Sequence, residues 1–209
     1  ILLGDADQEL PAEWRFFGAA VQGNTELAIE LLPEPESPLS TYNRFVLQPD
    51  TNHYEAAQGS LNGDLAELLE VAAYATGLRD DIASDFDLDG ELLALALATS
   101  AAADLELTNT KPAAAKLQRA IVAADDKSPI LAAVLSGQYA DLMISTPGVA
   151  PTLAIQQYRE AIRRAEGTVL PNLIADLHMK LGMAYQNAAH GQRGLLLEAV
   201  NAYQVALHS

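Results

Sequence analysis

The chain has 209 residues, half of them hydrophobic, with few aromatic side chains and no cysteine. Without cysteine it has no disulfide, no thiolate metal site and no cysteine nucleophile. It contains no apolar run near the roughly 20 residues that a membrane-spanning helix needs, so we expect no membrane insertion. Much of the apolar content is alanine and leucine, which favour helices, and runs of β-branched residues are scarce. The composition therefore predicts an all-α protein.

The formal net charge of −16 is confined to the first part of the chain. Residues 1–91 contain 19 acidic and 3 basic side chains, whereas residues 92–209 contain 9 of each. Such an acidic surface repels nucleic-acid phosphates and anionic membranes, so we expect no nucleic acid as a partner. It would attract a basic protein partner by long-range electrostatics, or it serves only to keep the protein soluble.

The first elements of the chain are short. Proline and apolar spacing predict a helix over residues 11–23 and a second over residues 26–32, followed by a proline-rich exposed linker at residues 33–38. In a later helix, which we expect to end at Thr76, Asp64 and Glu67 have the spacing of a capping box. The sequence starts without methionine and without a basic segment, so we expect no signal peptide and a processed product or excised domain. We expect a cytoplasmic protein and leave export of a processed form open.

Residues 85–90, Asp-Phe-Asp-Leu-Asp-Gly, match the first six positions of an EF-hand calcium loop. The oxygens at positions 1, 3 and 5 of such a loop bind calcium, and here these positions are Asp85, Asp87 and Asp89. Position 12 is Ala96, however, where the loop requires a bidentate glutamate. The alternative is that these aspartates lie at the positive end of a helix that starts near Glu91. We favour the helix end and leave calcium binding open.

The second half of the chain predicts six helices in three antiparallel pairs. The pairs span residues 91–107 with 112–125, 130–144 with 153–165, and 172–188 with 195–207. Proline stands near the start of most of these helices, where its missing N–H costs nothing, and Ser128 is a candidate N-cap. A nine-residue segment with Tyr158 at its centre returns 45 residues later around Tyr203. Recurrence at a fixed interval indicates a repeated helix pair that must stack to bury its apolar face.

These recurring residues resemble a known repeat family. The segment LGMAY at residues 181–185, followed by AVNAYQVA at residues 199–206, resembles the two helices of a tetratricopeptide repeat. The segments LSGQY at residues 135–139 and AIQQYREA at residues 154–161 are similar, with serine in place of glycine. Small residues such as Gly182 would let helices approach, and Tyr203 would fill the space beside them. The period differs from the family, since it exceeds the usual roughly 34 residues.

The resemblance implies an all-α fold that is a right-handed α-α superhelix of antiparallel helix hairpins, a tetratricopeptide-like solenoid. It implies one helical-repeat domain over residues 1–209, with an acidic, divergent part at residues 1–90 and hairpins at residues 91–209. In such repeats the inner face of the first helix usually holds the ligand. Here that face would be lined by Asp176, Met179, Met183, Gln186 and Asn187.

Methionine beside amide side chains would suit a peptide, because methionine adapts to irregular surfaces. The alternative is that Met179 and Met183 simply pack against the next helix. The resemblance thus implies a non-enzymatic scaffold or adaptor that binds a protein or peptide, with basic partners favoured. The alternative function is a small-ligand or signal-peptide sensing module of a larger protein.

Other chemistry has little support in the sequence. The four histidines show no spacing typical of a metal site, and no phosphate-binding loop or nucleophile motif occurs. We therefore predict no catalytic residue, no metal site and no cofactor. Arg159, Arg163 and Arg164 are interpreted as a solvated helix face paired with nearby glutamates. The wide apolar face of the last helix, residues 195–207, predicts further chain, a bound partner or a homodimer contact.

Overall fold

The computed structural model describes residues 12–32, 37–83, 85–125, 127–168 and 170–209. Over these ranges the chain forms eleven α-helices and no strand, which confirms the all-α prediction. No helix within them is both long enough and apolar enough to cross a membrane. The chain divides into two compact units, Ile1–Asp87 and Leu88–Ser209. The boundary lies close to the predicted change of character at residue 90, and the single domain over residues 1–209 stays a prediction.

The first unit contains short helices whose starts are set by polar side chains. Asn24, Ser37 and Asp50 each accept a hydrogen bond from the backbone N–H three residues later, at 3.2, 3.1 and 2.9 Å. The predicted helix start at residue 11 and residues 33–36 of the predicted linker lie outside the described residues. The helices are α1 (Ala12–Val21), α2 (Thr25–Glu30), α3 (Pro38–Leu47), α4 (Thr51–Gln58) and α5 (Asp64–Ala75).

The predicted capping box of α5 is wrong. Gly63 occupies the N-cap position with a φ of +57°, and no side chain caps the helix. Glu67 is engaged elsewhere, because its carboxylate oxygens accept hydrogen bonds from the backbone N–H of Asp87, at 2.9 and 3.0 Å. Glycine adopts a positive φ without steric cost, so the chain can turn into α5 at this point without a capping side chain.

The second unit contains three helix hairpins, and each helix packs against its neighbours in the chain. The observed helices agree with the predicted ones to within two residues at either end. This confirms the predicted order of hairpins in the second half of the chain. The first hairpin is α6 (Gly90–Glu106) with α7 (Thr110–Asp125), the second is α8 (Pro129–Ser145) with α9 (Pro151–Ala165), and the third is α10 (Pro171–Ala189) with α11 (Arg193–His208).

Proline begins three of the six helices of this unit. Pro129, Pro151 and Pro171 are the first residues of α8, α9 and α10, as predicted. Ser128 stands at the N-cap position of α8, but its side chain makes no capping hydrogen bond, so that part of the prediction is wrong. The φ angle of proline is fixed near its helical value, which favours a helix start at each of these positions.

Glycine allows α10 and α8 to approach their neighbours closely. A Cβ atom built on Gly182 of α10 would lie 2.5 Å from the ring of Tyr203 on α11. One built on Gly137 of α8 would lie 3.0 Å from the side chain of Leu177 on α10. Both distances are shorter than the roughly 3.5–4 Å at which carbon atoms pack. The close helix approach predicted at Gly182 is therefore confirmed, with Tyr203 as the side chain that fills the space.

We expect Gly182→Ala to destabilise the protein by about 1 kcal/mol or more, because the new methyl group must displace the Tyr203 ring. This loss would exceed the gain of up to about 1 kcal/mol that alanine brings to a helix interior. Chemical denaturation of the two proteins measures the difference. The matched control is Gly194→Ala on α11, where an added Cβ would meet no atom within 4 Å, so stability should stay equal or rise. Equal effects of the two substitutions would contradict the packing argument.

Candidate functional site

The five residues predicted to line a groove all lie on α10, and all five are exposed. Met179 and Met183 are 42% and 52% exposed, so about half of each residue is open to solvent. The groove role and the alternative of packing against the next helix both stay predictions. Exposed methionines with exposed polar neighbours form a mixed surface along one side of the helix. The full set is Asp176, Met179, Met183, Gln186 and Asn187.

A hydrogen bond that recurs in two hairpins relates this surface to α8. In the second hairpin the Tyr158 hydroxyl of α9 donates to Asp141 of α8, and the two residues are 17 positions apart. In the third hairpin the Tyr203 hydroxyl of α11 donates to Gln186 of α10 at 2.9 Å, and these residues are also 17 positions apart. Gln186 thus occupies in the third hairpin the position that Asp141 occupies in the second.

A cavity of about 600 Å³ lies between α6 and α8, with α7 contributing to its wall. Its surface is mainly apolar, and alanine provides much of the α6 side. Four polar residues line it as well, of which Asp141 is the one that carries a charge. The lining residues are Ala98, Ala101, Ala102 and Leu105 from α6, Thr110 and Leu117 from α7, and Gln138, Asp141, Leu142 and Ser145 from α8.

In the register set by the two tyrosine bonds, three of the five predicted residues on α10 correspond to residues that line this cavity. With Gln186 matched to Asp141, a register of 45 residues, Met183 matches Gln138 and Asn187 matches Leu142. Asp176 and Met179 match Leu131 and Val134, which do not line the cavity. The alignment of LGMAY with LSGQY has a register one residue longer. In the register of the tyrosine bonds, the C-terminal part of the predicted groove and the α8 wall of the cavity therefore lie on the same side of successive first helices. We call this side the groove face, formed by Gln138, Asp141 and Leu142 on α8 and by Asp176, Met179, Met183, Gln186 and Asn187 on α10.

A lysine between two carboxylates joins α8 to α10 on the groove face. The Nζ atom of Lys180 lies 3.0 Å from Oδ2 of Asp141 and 3.2 Å from Oδ2 of Asp176. Partial burial acts to lower the pKa of Lys180, but the hydrogen bonds and charges of Asp141 and Asp176 outweigh it and raise the pKa. The lysine therefore stays protonated and partly neutralises the two carboxylates.

The tyrosine beneath this cluster stays neutral. Burial, followed by its hydrogen bond to Asp141, raises the pKa of Tyr158 far above its ordinary value. Its hydroxyl therefore remains a donor to Oδ1 of Asp141 while Oδ2 faces Lys180. Both oxygens of this carboxylate have partners, although the side chain itself is about two-fifths exposed.

Tyrosines on the first helices contact the second helix of the preceding hairpin. Tyr139 on α8 receives a hydrogen bond from the side chain of Gln118 on α7. Tyr185 on α10 carries the guanidinium of Arg159 on α9 over its ring, 5.5 Å from the ring centre. These contacts connect one hairpin to the next.

The basic cluster on α9 is only in part the solvated face that we predicted. Glu160 pairs with Arg163 and with Arg164, three and four residues on, which confirms the local pairs. Arg164, however, is mostly buried and also reaches α7, where its Nε atom lies 2.6 Å from Oδ1 of Asp125. That arginine lowers the pKa of Asp125 chiefly through this hydrogen bond. It stabilises the packing of α7 and α9 and is not free to bind a phosphate.

His178 on α10 has an Nδ1 atom that is buried without a hydrogen-bond partner among the described residues. Burial lowers the pKa of His178, and the negative charge of Glu166 only partly opposes that effect. The neutral ring is therefore the form that the folded protein favours. The spacing of the histidines in the sequence carries no signal for this burial.

The acidic stretch with EF-hand spacing has two separate local roles. Asp89 takes the N-cap position of α6, which begins at Gly90, although its side chain makes no capping hydrogen bond. The backbone of Asp87 is bonded to Glu67 in the first unit. Across the described parts of the chain, no three histidine, aspartate or glutamate side chains are grouped so as to hold a metal ion.

The sequence predicted the α10 side of this site but missed the cavity and Lys180. The cavity has a weak sequence signal, because Ala98, Ala101 and Ala102 place small side chains on one side of α6.

Models of known protein families give no match to this chain. A comparison with curated protein sequences gives no match either.

We expect the free energy of unfolding to decrease more steeply on acidification in the wild type than in a variant without His178. The folded state has the lower pKa, so the unfolded state takes up a proton first as the pH falls through the ordinary histidine value of about 6.5. This stability is present above that value and is lost as the pH approaches the folded pKa. Denaturant unfolding of the wild type and of His178→Gln at pH 8 and pH 5.5 would compare the two losses.

The control for this experiment is His190→Asn, which removes an exposed histidine from the left-handed C-cap of the same helix. Asparagine tolerates that backbone conformation. His190→Asn should keep the pH dependence of the wild type, whereas His178→Gln should flatten it. A wild-type curve parallel to that of His178→Gln would refute the role of the buried ring.

Proposed function

We propose that the second unit is a tetratricopeptide-like right-handed superhelix and that the protein is a non-enzymatic scaffold or adaptor. In this proposal the groove face binds a segment of a protein or peptide partner. The observation that supports it is the match of Met183, Gln186 and Asn187 on α10 with residues lining the α6–α8 cavity, in the register set by the bonds of Tyr158 and Tyr203. Repetition of one exposed position along successive helices is what an extended ligand requires.

The chemistry of the groove face favours a peptide. Met179 and Met183 offer flexible apolar surface that can adapt to different side chains. Gln138, Gln186 and Asn187 carry amide groups, which can donate to and accept from a peptide backbone. Apolar contacts with a few polar groups beside them are typical of peptide-binding surfaces.

The charge of the chain favours a basic partner. The excess of acidic residues lies in residues 1–91, and the groove face itself carries Asp141 and Asp176 against Lys180. Long-range attraction would raise the association rate of a basic segment, and salt would screen that effect. Binding that is independent of salt would contradict this part of the proposal.

We expect Met183→Glu to weaken binding of a peptide by about tenfold or more, because a central anchor is lost and a charge is introduced. A peptide selected against the full chain from a random-sequence display library would serve as ligand, and calorimetry would measure its affinity. The control is Val122→Glu on α7, a position that is 77% exposed and does not belong to the groove face. Equal affinities for the wild type and Met183→Glu, or equal losses in both variants, would refute the groove assignment.

A second candidate function is a sensor that binds a small molecule. The observation that favours it is the cavity itself, whose volume of about 600 Å³ falls in the usual range for small-ligand sites. Its apolar wall with few polar groups is also typical of such sites. In this alternative the ligand occupies the cavity between α6 and α8, and the α10 side of the groove face is not needed.

This second candidate predicts that a compound in a metabolite screen raises the melting temperature of the protein. A ligand that binds the native state alone stabilises by mass action, by about 2.7 kcal/mol at a hundredfold excess over Kd. The shift should persist in Met183→Glu, because that residue lies outside the cavity wall. Loss of the shift in Met183→Glu would instead assign the compound to α10.

The apolar face of α11 is a further exposed surface, and the homodimer contact expected there stays a prediction. Val200 and Leu207 are 50% and 78% exposed. Their equivalents 45 residues earlier, Ile155 and Ile162, are both 6% exposed. In the second hairpin these positions lie in the core cluster that joins α9 to α10.

A further inference from the structure

The cavity between α6 and α8 combines an apolar wall with a single carboxylate. Small alanine side chains on α6 leave the space, and Leu105 and Leu142 close parts of it. Among the described residues that line it, Asp141 alone is ionisable with a charge at neutral pH. An aliphatic group would gain by leaving water for this wall, at about 25 cal/mol for each Å² buried.

Asp141 can exchange one of its partners for a ligand. Its Oδ1 atom accepts the hydroxyl of Tyr158, whose proton is firmly held. Its Oδ2 atom faces Lys180, but Lys180 has a second carboxylate, Asp176, at 3.2 Å. A ligand cation could therefore displace Lys180 from Oδ2 of Asp141, because this carboxylate is partly exposed. The displaced Lys180 would keep its ion pair with Asp176.

We propose that this cavity binds an aliphatic group that ends in, or lies beside, a protonated amine or guanidinium. The occupant to which we commit is a partner segment with an aliphatic side chain next to a lysine or arginine. The inference rests on the proposed function, because it specifies which peptides the groove face selects. Asp141 is the specificity-determining residue, the alanines of α6 provide the space, and Lys180 is the competitor that leaves. An anionic ligand would meet Asp141 and Asp176 together and is disfavoured.

Hexylammonium, hexanol and hexanoate test the two parts of this site with one chain length. We expect nuclear magnetic resonance titration of the full chain to show hexylammonium binding about tenfold more tightly than hexanoate, since charge-assisted pairs are the strong ones. Hexanol should fall between them, because it fills the apolar wall without a charge. Equal binding of hexylammonium and hexanoate would overturn the proposal.

Three variants assign the effect to residues. Asp141→Asn keeps an acceptor for Tyr158 and should lose the preference for hexylammonium while hexanol still binds. Ala102→Phe places a ring in the cavity from an exposed position and should weaken all three probes. Lys180→Met removes the competitor and should strengthen hexylammonium binding several-fold. Unchanged titrations in both Asp141→Asn and Ala102→Phe would overturn the assignment, and unfolding curves of each variant show that it is folded.

The outcome for the cavity can be separated from the outcome for the proposed function. Peptides that bind the wild type and lose affinity in Met183→Glu, but not in Asp141→Asn or Ala102→Phe, would leave the peptide function standing and refute the cavity site. Alkylammonium binding that responds to Asp141→Asn and Ala102→Phe, without any peptide that responds to Met183→Glu, would support the cavity and refute the peptide function.

Discussion

The last two hairpins depend on one packing constraint, which is the fit of a tyrosine from the second helix against the first helix. Tyr203 lies against Gly182, where a Cβ atom would be only 2.5 Å from its ring, and donates its hydroxyl to Gln186. Tyr158 makes the same bond to Asp141 in the hairpin before. Tyr158 is buried, and a buried hydroxyl without a partner would cost about 1–3 kcal/mol, so Asp141 stabilises this packing by accepting its hydrogen bond. Tyr203 is only partly buried, and the same cost applies less to its bond with Gln186. The acceptor reaches the tyrosine from the groove face, and the packing of each hairpin therefore places a polar group beside the proposed binding surface.

Charge is balanced within the second unit in a way that keeps the groove face distinct. Asp104 on α6 lies 2.8 Å from Lys116 on α7, and both side chains are largely buried. Arg164 and Asp125 join α9 to α7 in a similar manner. Each of these charges has a partner on another helix. For the buried pair of Asp104 with Lys116, removal of one member costs several kcal/mol. On the groove face there are two carboxylates for one cation, because Lys180 pairs with both Asp141 and Asp176. One carboxylate more than the lysine can neutralise gives that face a preference for a cation.

Local features of the structure could be predicted from the sequence, and features that depend on distant packing could not. Proline at the helix starts and the recurring tyrosines located the helices of the last two hairpins to within two residues, because both signals act within one hairpin. The capping box at Asp64 failed because Glu67 binds the backbone of Asp87, 20 residues away. The pair of Arg164 with Asp125 spans 39 residues and has no local signal. The cavity depends on the space between α6 and α8, whereas α8 and α10 meet where Leu177 covers Gly137. Spacing in the sequence predicts which residues share a helix side, but not how far apart two helices lie.

The two exposed surfaces of the third hairpin differ in kind, and the difference bears on what each can bind. The α11 surface repeats positions that α9 uses in the helix core, since Val200 and Leu207 replace Ile155 and Ile162. Aliphatic side chains at that spacing are complementary to another helix and offer few polar groups for orientation. The groove face instead places methionines among amides and carboxylates, and its equivalent on α8 borders a cavity. A ligand there can be held by a few directed polar contacts and anchored by one apolar group. The α11 surface therefore has the composition of a helix-packing face, whereas the mixed composition of the groove face is what the proposed function would require of a ligand-binding surface.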